Sequence, residues 1–488
     1  MRLAPAGILC GSLLMGGTTS LFAGQVPGTA RAPNIPISHH DRVYAAEQFS
    51  NTVSVIDPVA NKLLGVIRLG DPQPGNFSPL YKGQVLVHGM GFSPDHRTLA
   101  VVSIGSNSVT FIDTATNTVK HTTYVGRSPH EAFFTQDGSE VWVTVRGENY
   151  ASVLDAKTYL EKTRIVTVPG PGMTIFSPDG RFGYICSSFN PELAIVDVRS
   201  HAIVARVRQP SPFCPNLAVS PEGDQLWYTL KDVGKVVVIS AHAPYTTLKI
   251  IDSGPITNHV NLVENAHGKF AYVTVGGLNQ VQVYRRDDFT NVATIPVGAL
   301  PHGIWPSGDG TRVYVGLENG DAMAAIDTLT NKVIATVPIG QAAQAIAYVP
   351  GAVPVGDGRQ NLQPLGIAGE AAHVSLVPVG GKVLTTSVSL FDQGLVQVMQ
   401  AAVTGLAPGS SFILALADHP DGTGKLEPIA SFTTNPAGAA VVDASGPIRQ
   451  LAQGGAVAPR RYLTIAAGTP QRIGVVEQVQ VLDHAAAK

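Results

Sequence analysis

Apolar and polar positions alternate along most of this chain, and the alternation comes in packets. Each packet has a short apolar strand, a turn, a second strand, a polar loop, and a third strand of the form Val-x-Val-Ile-Asp. The third strand recurs at 53–57, 109–113, 151–155, 193–197, 236–240, 281–285 and 323–327, seven copies in all. The turn is carried by Ser93, Pro94 and Asp95, by Asp137 and Gly138, by Ser177 to Gly180, by Ser220 to Gly223, by Gly268, and by Ser307 to Gly310. A period of about 43 residues with about four short strands per copy predicts a β-propeller. Residues 42–46 begin a packet that lacks its first strand, and residues 344–349 are a first strand without the rest. Joined, they complete a seventh blade and close the ring through both ends, which removes exposed sheet edges. The pattern predicts one seven-bladed propeller over residues 40–350.

Beyond 350 the packets stop. Residues 351–366 are rich in proline and glycine and read as a linker. Residues 367–488 show about eight alternating or apolar runs, at 374–377, 383–391, 395–403, 412–417, 431–434, 439–442, 462–466 and 475–482. Turns such as Pro408-Gly409 and Asp421-Gly422 separate them, which predicts a small β-sandwich. The fold class is therefore all-β. Asp418, His419 and Asp421 sit in one turn and read as a solvated loop rather than a metal site.

The strand sequences Tyr272-Val273-Thr274-Val275 and Val141-Trp142-Val143-Thr144, with the turn Asp113 to Val119, resemble the YVTN family of seven-bladed propellers. The resemblance covers roughly residues 40–350. It implies the fold strongly and the chemistry weakly, because propellers host many functions. Similar rings occur in the cytochrome d1 domain, nitrous oxide reductase, amine dehydrogenase heavy chains and lactonases.

Composition adds limits. Charged residues are 14% of the 488 and the net charge is -2, with no basic stripe, so nucleic acid is not an expected partner. Residues 1–23 read as a secretory signal: Arg2, then an apolar run, then Leu21-Phe22-Ala23 as an imperfect cleavage site. A periplasmic or secreted protein with no transmembrane segment after signal removal is expected. The mature chain keeps Cys186 and Cys214 of the three cysteines. Both fall at strand ends on one face of neighbouring blades. A disulfide is favoured over a metal thiolate in an oxidising compartment. No Cys-x-x-Cys-His occurs, so covalent haem c is not expected.

Candidate chemistry gathers at one mouth. When the packets are aligned on their turn glycine position, which His96 occupies in the first of them, His88, His130 and His302 each stand eight residues before it, at the entrance of a first strand. His259 stands nine residues before Gly268, one place displaced. Four imidazoles at a shared mouth suit copper, zinc or iron. The resemblance to nitrous oxide reductase and the cytochrome d1 domain implies histidines at such a mouth. Four of seven positions do not supply a cluster that needs a full histidine ring. The alternative is that each imidazole only bonds neighbouring backbone.

Other groups fall on the same face. Asp57 and Asp113 lie 56 residues apart where Asp113 and Asp155 lie 42 apart. The excess, 71–84, leads into His88, and its Asn76, Tyr81 and Lys82 are candidate ligand contacts; a plain surface loop is the alternative. After the second strand of the second blade come Arg146 and Glu148, which could bind an anion and move a proton, or form a surface pair.

No nucleophile elbow, phosphate loop or dinucleotide fingerprint occurs. Three functions stay open. The first is an exported propeller binding a metal or small ligand at the histidine mouth, with a redox role if the metal is copper or iron. The second is an envelope scaffold for a protein partner, and the third a lactonase-like hydrolase.

Overall fold

The computed structural model describes residues 36–70, 85–369, 371–392, 397–446 and 460–482. The expected signal at 1–23 and the insert with Asn76, Tyr81 and Lys82 lie outside the described residues. The regular structure of the described chain is almost wholly strand, with three short 3-10 turns. No helix among the described residues is long and apolar enough to cross a membrane.

Seven four-stranded antiparallel sheets form the blades. The first blade runs from Val87–Phe92 to Val119–Tyr124, and five more follow in order to Lys332–Pro338. The seventh takes Ala343–Val349 as its innermost strand beside Arg42–Glu47, in a register running from Arg42↔Val349 to Ala46↔Ala345. The ring is thus closed by strands from both ends of the repeat region, as the packets predict. Inner strands are buried on both faces between neighbouring blades, as in Glu140–Val145. The outermost strands alternate instead, as in Ala202–Arg208, because one of their faces meets water.

The chain leaves the ring at Val349, on the face opposite the mouth. Residues 351–366 are strapped to the first and seventh blades. Asn117 Nδ2 donates to Gly358 O and Gln360 O at 2.9 Å each. Gln363 then exchanges backbone hydrogen bonds with Val66, and Arg68 donates to Pro364 O at 2.9 Å. Gly65 lets the strap approach, because a Cβ there would meet Gln363 O at 2.8 Å. The strap climbs to the mouth face and delivers the second domain there.

That domain is one antiparallel sheet of eight strands, in the spatial order Glu427–Thr433, Ser411–Ala417, Tyr462–Thr469, Arg472–Gln480, Ala371–Pro378, Thr386–Asp392, Gln397–Val403, Ala440–Gly446. Its two edge strands come alongside each other, so the sheet nearly closes around a core of Leu376, Val388, Leu390, Met399, Leu414 and Ile465. Alternation puts Met399, Ala401 and Val403 inside. It turns Val398 and Ala402 outward onto the propeller. Phe391 packs on Phe49 with tilted rings 4.5 Å apart, and Ala402 and Ala439 pack on Ile256 and Leu300. The domain therefore sits on the mouth side of blades four to seven.

Glu47 ends a second strand at this mouth and is fully buried. Burial pushes its carboxyl up to about 7, against hydrogen bonds from Ser54, Thr52 and Gly340 N–H. A raised carboxyl binds its proton more tightly folded than unfolded. Its stabilising contribution is complete below the ordinary carboxyl range and is lost as pH rises through about 7. Glu47→Gln cannot ionise, so at pH 8 it should be more stable than wild type by roughly 2–3 kcal/mol. The gain should vanish near pH 4. Urea midpoints at the two pH values check this, and equal shifts at both would contradict it.

Candidate functional site

Every histidine of the mouth stands in a β-bulge. In the first blade Val87 pairs with Ser103 and Met90 with Val101, so His88 and Gly89 share the space of one partner. The same irregularity holds His130 and Glu131, Asn258 and His259, and His302 and Gly303. A bulge bends the strand and re-aims its side chains; here it turns them to the channel mouth. It also explains the displaced His259. Asn258 occupies the place of His88, His130 and His302, while His259 occupies the place of Glu131. Gly89 is needed at that second place, since a Cβ would collide with His130 O and the Glu131 carboxylate.

The imidazoles form an arc. Ring centroids are 4.4 Å apart for His88 and His130, 6.4 Å for His88 and His302, and 4.8 Å for His259 and His302. His130 Nδ1 lies 2.8 Å from Gly172 O and His302 Nδ1 lies 2.7 Å from Gln344 O. A carbonyl only accepts, so each Nδ1 carries the proton and each Nε2 keeps its lone pair. The backbone bond thus leaves the opposite nitrogen ready for a ligand. Nε2 of His259 is buried without a partner.

All four rings are held neutral. Burial dominates, and the charge of Arg146 adds at His88 and His130, that of Lys231 at His259 and His302. His88 and His259 are each pushed down to about 3. Glu131, buried beneath the arc, has its carboxyl raised well above the ordinary range by burial, while a hydrogen bond from Met90 N–H opposes this. One donor atom each from His88, His130 and Glu131 lie within 4.8 Å of one another. Below, Glu131, His259, Met90, Met173, Asn216 and Trp305 line an axial cavity with room for about one water molecule.

Arg146 and Lys231 stand on the rim. Arg146 lies over the Phe213 ring at 5.2 Å and the Phe189 ring at 5.6 Å, and Lys231 Nζ lies 5.6 Å from the Phe213 centroid. Glu148 is not brought to Arg146: it pairs with Arg127 at 2.8 Å. Cys186 and Cys214 meet across the third and fourth blades, with Cα atoms 5.9 Å apart and sulfurs at bonding distance. Asp232, Glu318 and, from the second domain, Gln400 and Asp443 surround the rim cations.

Sequence reasoning missed Glu131, Lys231, Glu318, Gln400 and Asp443. Lys231 and Glu318 occupy the first place after a second strand, the place Arg146 holds in its own blade. The packet alignment that finds the histidines finds them too. A serine–histidine–aspartate line also occurs at the domain seam: His373 Nδ1 lies 3.1 Å from Ser389 Oγ, and its Nε2 lies 3.2 Å from Asp321 Oδ2. Ser389 is fully buried and its hydroxyl donates to Asn319 O, so it presents no open nucleophile.

No family model matches the chain. The protein NirF of Stutzerimonas stutzeri is 26% identical over 133 residues, covering 27% of this chain and 33% of that one. NirF of Pseudomonas aeruginosa PAO1 is 24% identical over 116 residues, covering 23% and 29%. The match thus spans about a third or less of either relative. Among solved structures, a functionally unknown protein from Desulfotomaculum acetoxidans aligns with TM-score 0.52 at 13% identity, over 63% of this chain and 98% of that one. These likenesses agree with the blade count in placing the chain among β-propeller proteins similar, over part of its length, to NirF.

Proposed function

We propose that this is an exported, ligand-binding propeller that holds a transition-metal ion at its mouth. The observation that carries the reading is the convergence of His88, His130 and Glu131, three buried donors within 4.8 Å. Two neutral imidazoles and one carboxylate are a donor set used by zinc and by non-haem iron, and imidazole also suits copper. Burial favours the protonated Glu131 carboxyl, which would ionise on binding the metal and offset part of the ion's charge, and the Gly172 carbonyl fixes the His130 ring. Copper or iron would give the site redox capacity, and any of the three would polarise a bound oxygen ligand. The charge of Arg146 reaches both His88 and His130, which favours an anionic ligand over a second cation.

The test uses full-length protein purified without a histidine tag. Titration with Zn(II), Cu(II) and Fe(II) should show one ion per chain for at least one metal, lost in a His88→Ala, His130→Ala double variant. Absence of bound or bindable metal would reject the reading.

A further inference from the structure

The bulges build a second ring beneath the histidine arc. Their first place carries His88, His130 and His302. By register, their second place holds Glu131, Met173, Asn216, His259 and Ala345 in five blades and glycine in the other two. All five of those side chains line the axial cavity. Met90, the residue after the bulge of the first blade, reaches the same space. The equivalent residues Val260, Ile304 and Ile346 in other blades are branched aliphatics, so the fold itself does not require a thioether there.

Two thioethers and one imidazole therefore border a single buried space. Met90 and Met173 are each 1% exposed, and the buried His259 Nε2 has no partner. The cavity has room for about one water molecule, and a bare metal ion is smaller than that. Thioether sulfur is a soft donor that suits Cu(I), whereas zinc in proteins takes thiolate, imidazole or carboxylate. Charge points the same way. The three donors are neutral, and the charge of Lys231 bears on His259. Glu131 is the one carboxyl among the described residues lining the cavity. One positive charge is tolerated there better than two.

We propose that the axial cavity is a Cu(I) site with Met90, Met173 and His259 as its ligands. It is a second position, beneath the one built on His88 and His130 and bordering it through Glu131. It does not depend on the upper position being filled.

Anaerobic Cu(I) titration in competition with bicinchoninate tests it, on full-length protein with any free thiols alkylated. Wild type should bind Cu(I). A Met90→Leu, Met173→Leu double variant nearly keeps the core volume. It should weaken Cu(I) at least about tenfold while Zn(II) changes less than about threefold. His259→Asn should weaken Cu(I) to a similar extent, and Asn216 already holds that place in the fourth blade. X-ray absorption at the copper edge should show sulfur neighbours in wild type and none in the methionine variant. No Cu(I) binding, copper without sulfur neighbours, or unchanged affinity in the methionine variant would overturn the proposal. The wild-type spectrum decides alone if that variant does not fold. The His88→Ala, His130→Ala variant separates the two readings: it should lose Zn(II) and keep Cu(I) within about threefold. Loss of both would remove the lower site and leave the upper one. Cu(I) held by sulfur in a protein that binds no divalent metal would remove only the upper one.

Discussion

His130→Asn is expected to lower metal affinity at least about a hundredfold while leaving the propeller folded. The first half follows from geometry. His130 is one of the three converging donors, and its Nε2 is the nitrogen left free by the Gly172 bond. Losing one of three protein ligands costs more than losing an outer-shell partner, which already costs about 10–100-fold. The second half follows from the fifth blade. There Asn258 occupies the equivalent bulge and donates to the next blade's Pro301 O at 2.8 Å, one residue before the counterpart of Gly172, whose carbonyl takes the His130 bond. Asparagine is therefore already accepted at this place in the fold. The Gly172 carbonyl also accepts from Thr144 Oγ1 at 2.9 Å, so it is not orphaned by the change. His302→Asn makes the matched control. It keeps the same kind of backbone bond, and its ring lies 6.4 Å from His88, outside the converging set. It should change affinity less than about threefold, since no first ligand is lost. Parallel zinc titrations with circular dichroism of both variants decide the matter. Equal losses in the two would place the metal elsewhere on the arc.

The propeller was legible because each packet repeats the same physical problem. A blade cannot bury both faces alone, so the pattern must recur until the ring closes. The closing strand 343–349 was visible as an orphan first strand for that reason. The second domain was legible strand by strand, since its eight apolar runs meet the eight strands of the sheet. Its place on the mouth was not. Nothing local says that Val398, Gln400 and Ala402 lie against Phe49, Leu300 and Glu318, because docking is decided by surfaces distant in sequence.

The histidines were found by alignment on a turn, yet their role depended on the bulge. A bulge leaves no composition signal, and it is what puts Glu131 in one class with His259. Glu148 was misleading for a related reason. It follows Arg146 by two residues, but the loop turns between them and gives it to Arg127. Spacing places residues on a face; it does not decide which neighbour they meet.

In protein isolated from an oxidising compartment, Cys186 and Cys214 are expected to be bridged, and breaking the bridge should cost roughly 3–4 kcal/mol. They are 28 residues apart in sequence, and both are fully buried. A loop of that length gives about 3.5 kcal/mol in the chain-entropy account. The local fold adds a consequence. Cys214 precedes an innermost strand of only three residues, Leu217–Val219, where the other first strands have six or more. The entry to the fourth blade is therefore held less by sheet pairing and more by this contact. The adjacent Phe213 sits at φ 62, a left-handed conformation that a bulky side chain rarely adopts without support. Its ring is the one shared by Arg146 and Lys231. Reduction should thus lower the urea midpoint and also loosen the rim. Thiol counting under denaturing, non-reducing conditions comes first, and two free thiols would refute the bridge. Urea unfolding with and without reductant comes second, beside Cys186→Ala, Cys214→Ala. The double variant should match the reduced wild type in midpoint and should not respond to reductant. A midpoint unmoved by reductant in protein shown to be bridged would mean that sheet packing alone holds this entry, and that Phe213 keeps its place without the sulfurs.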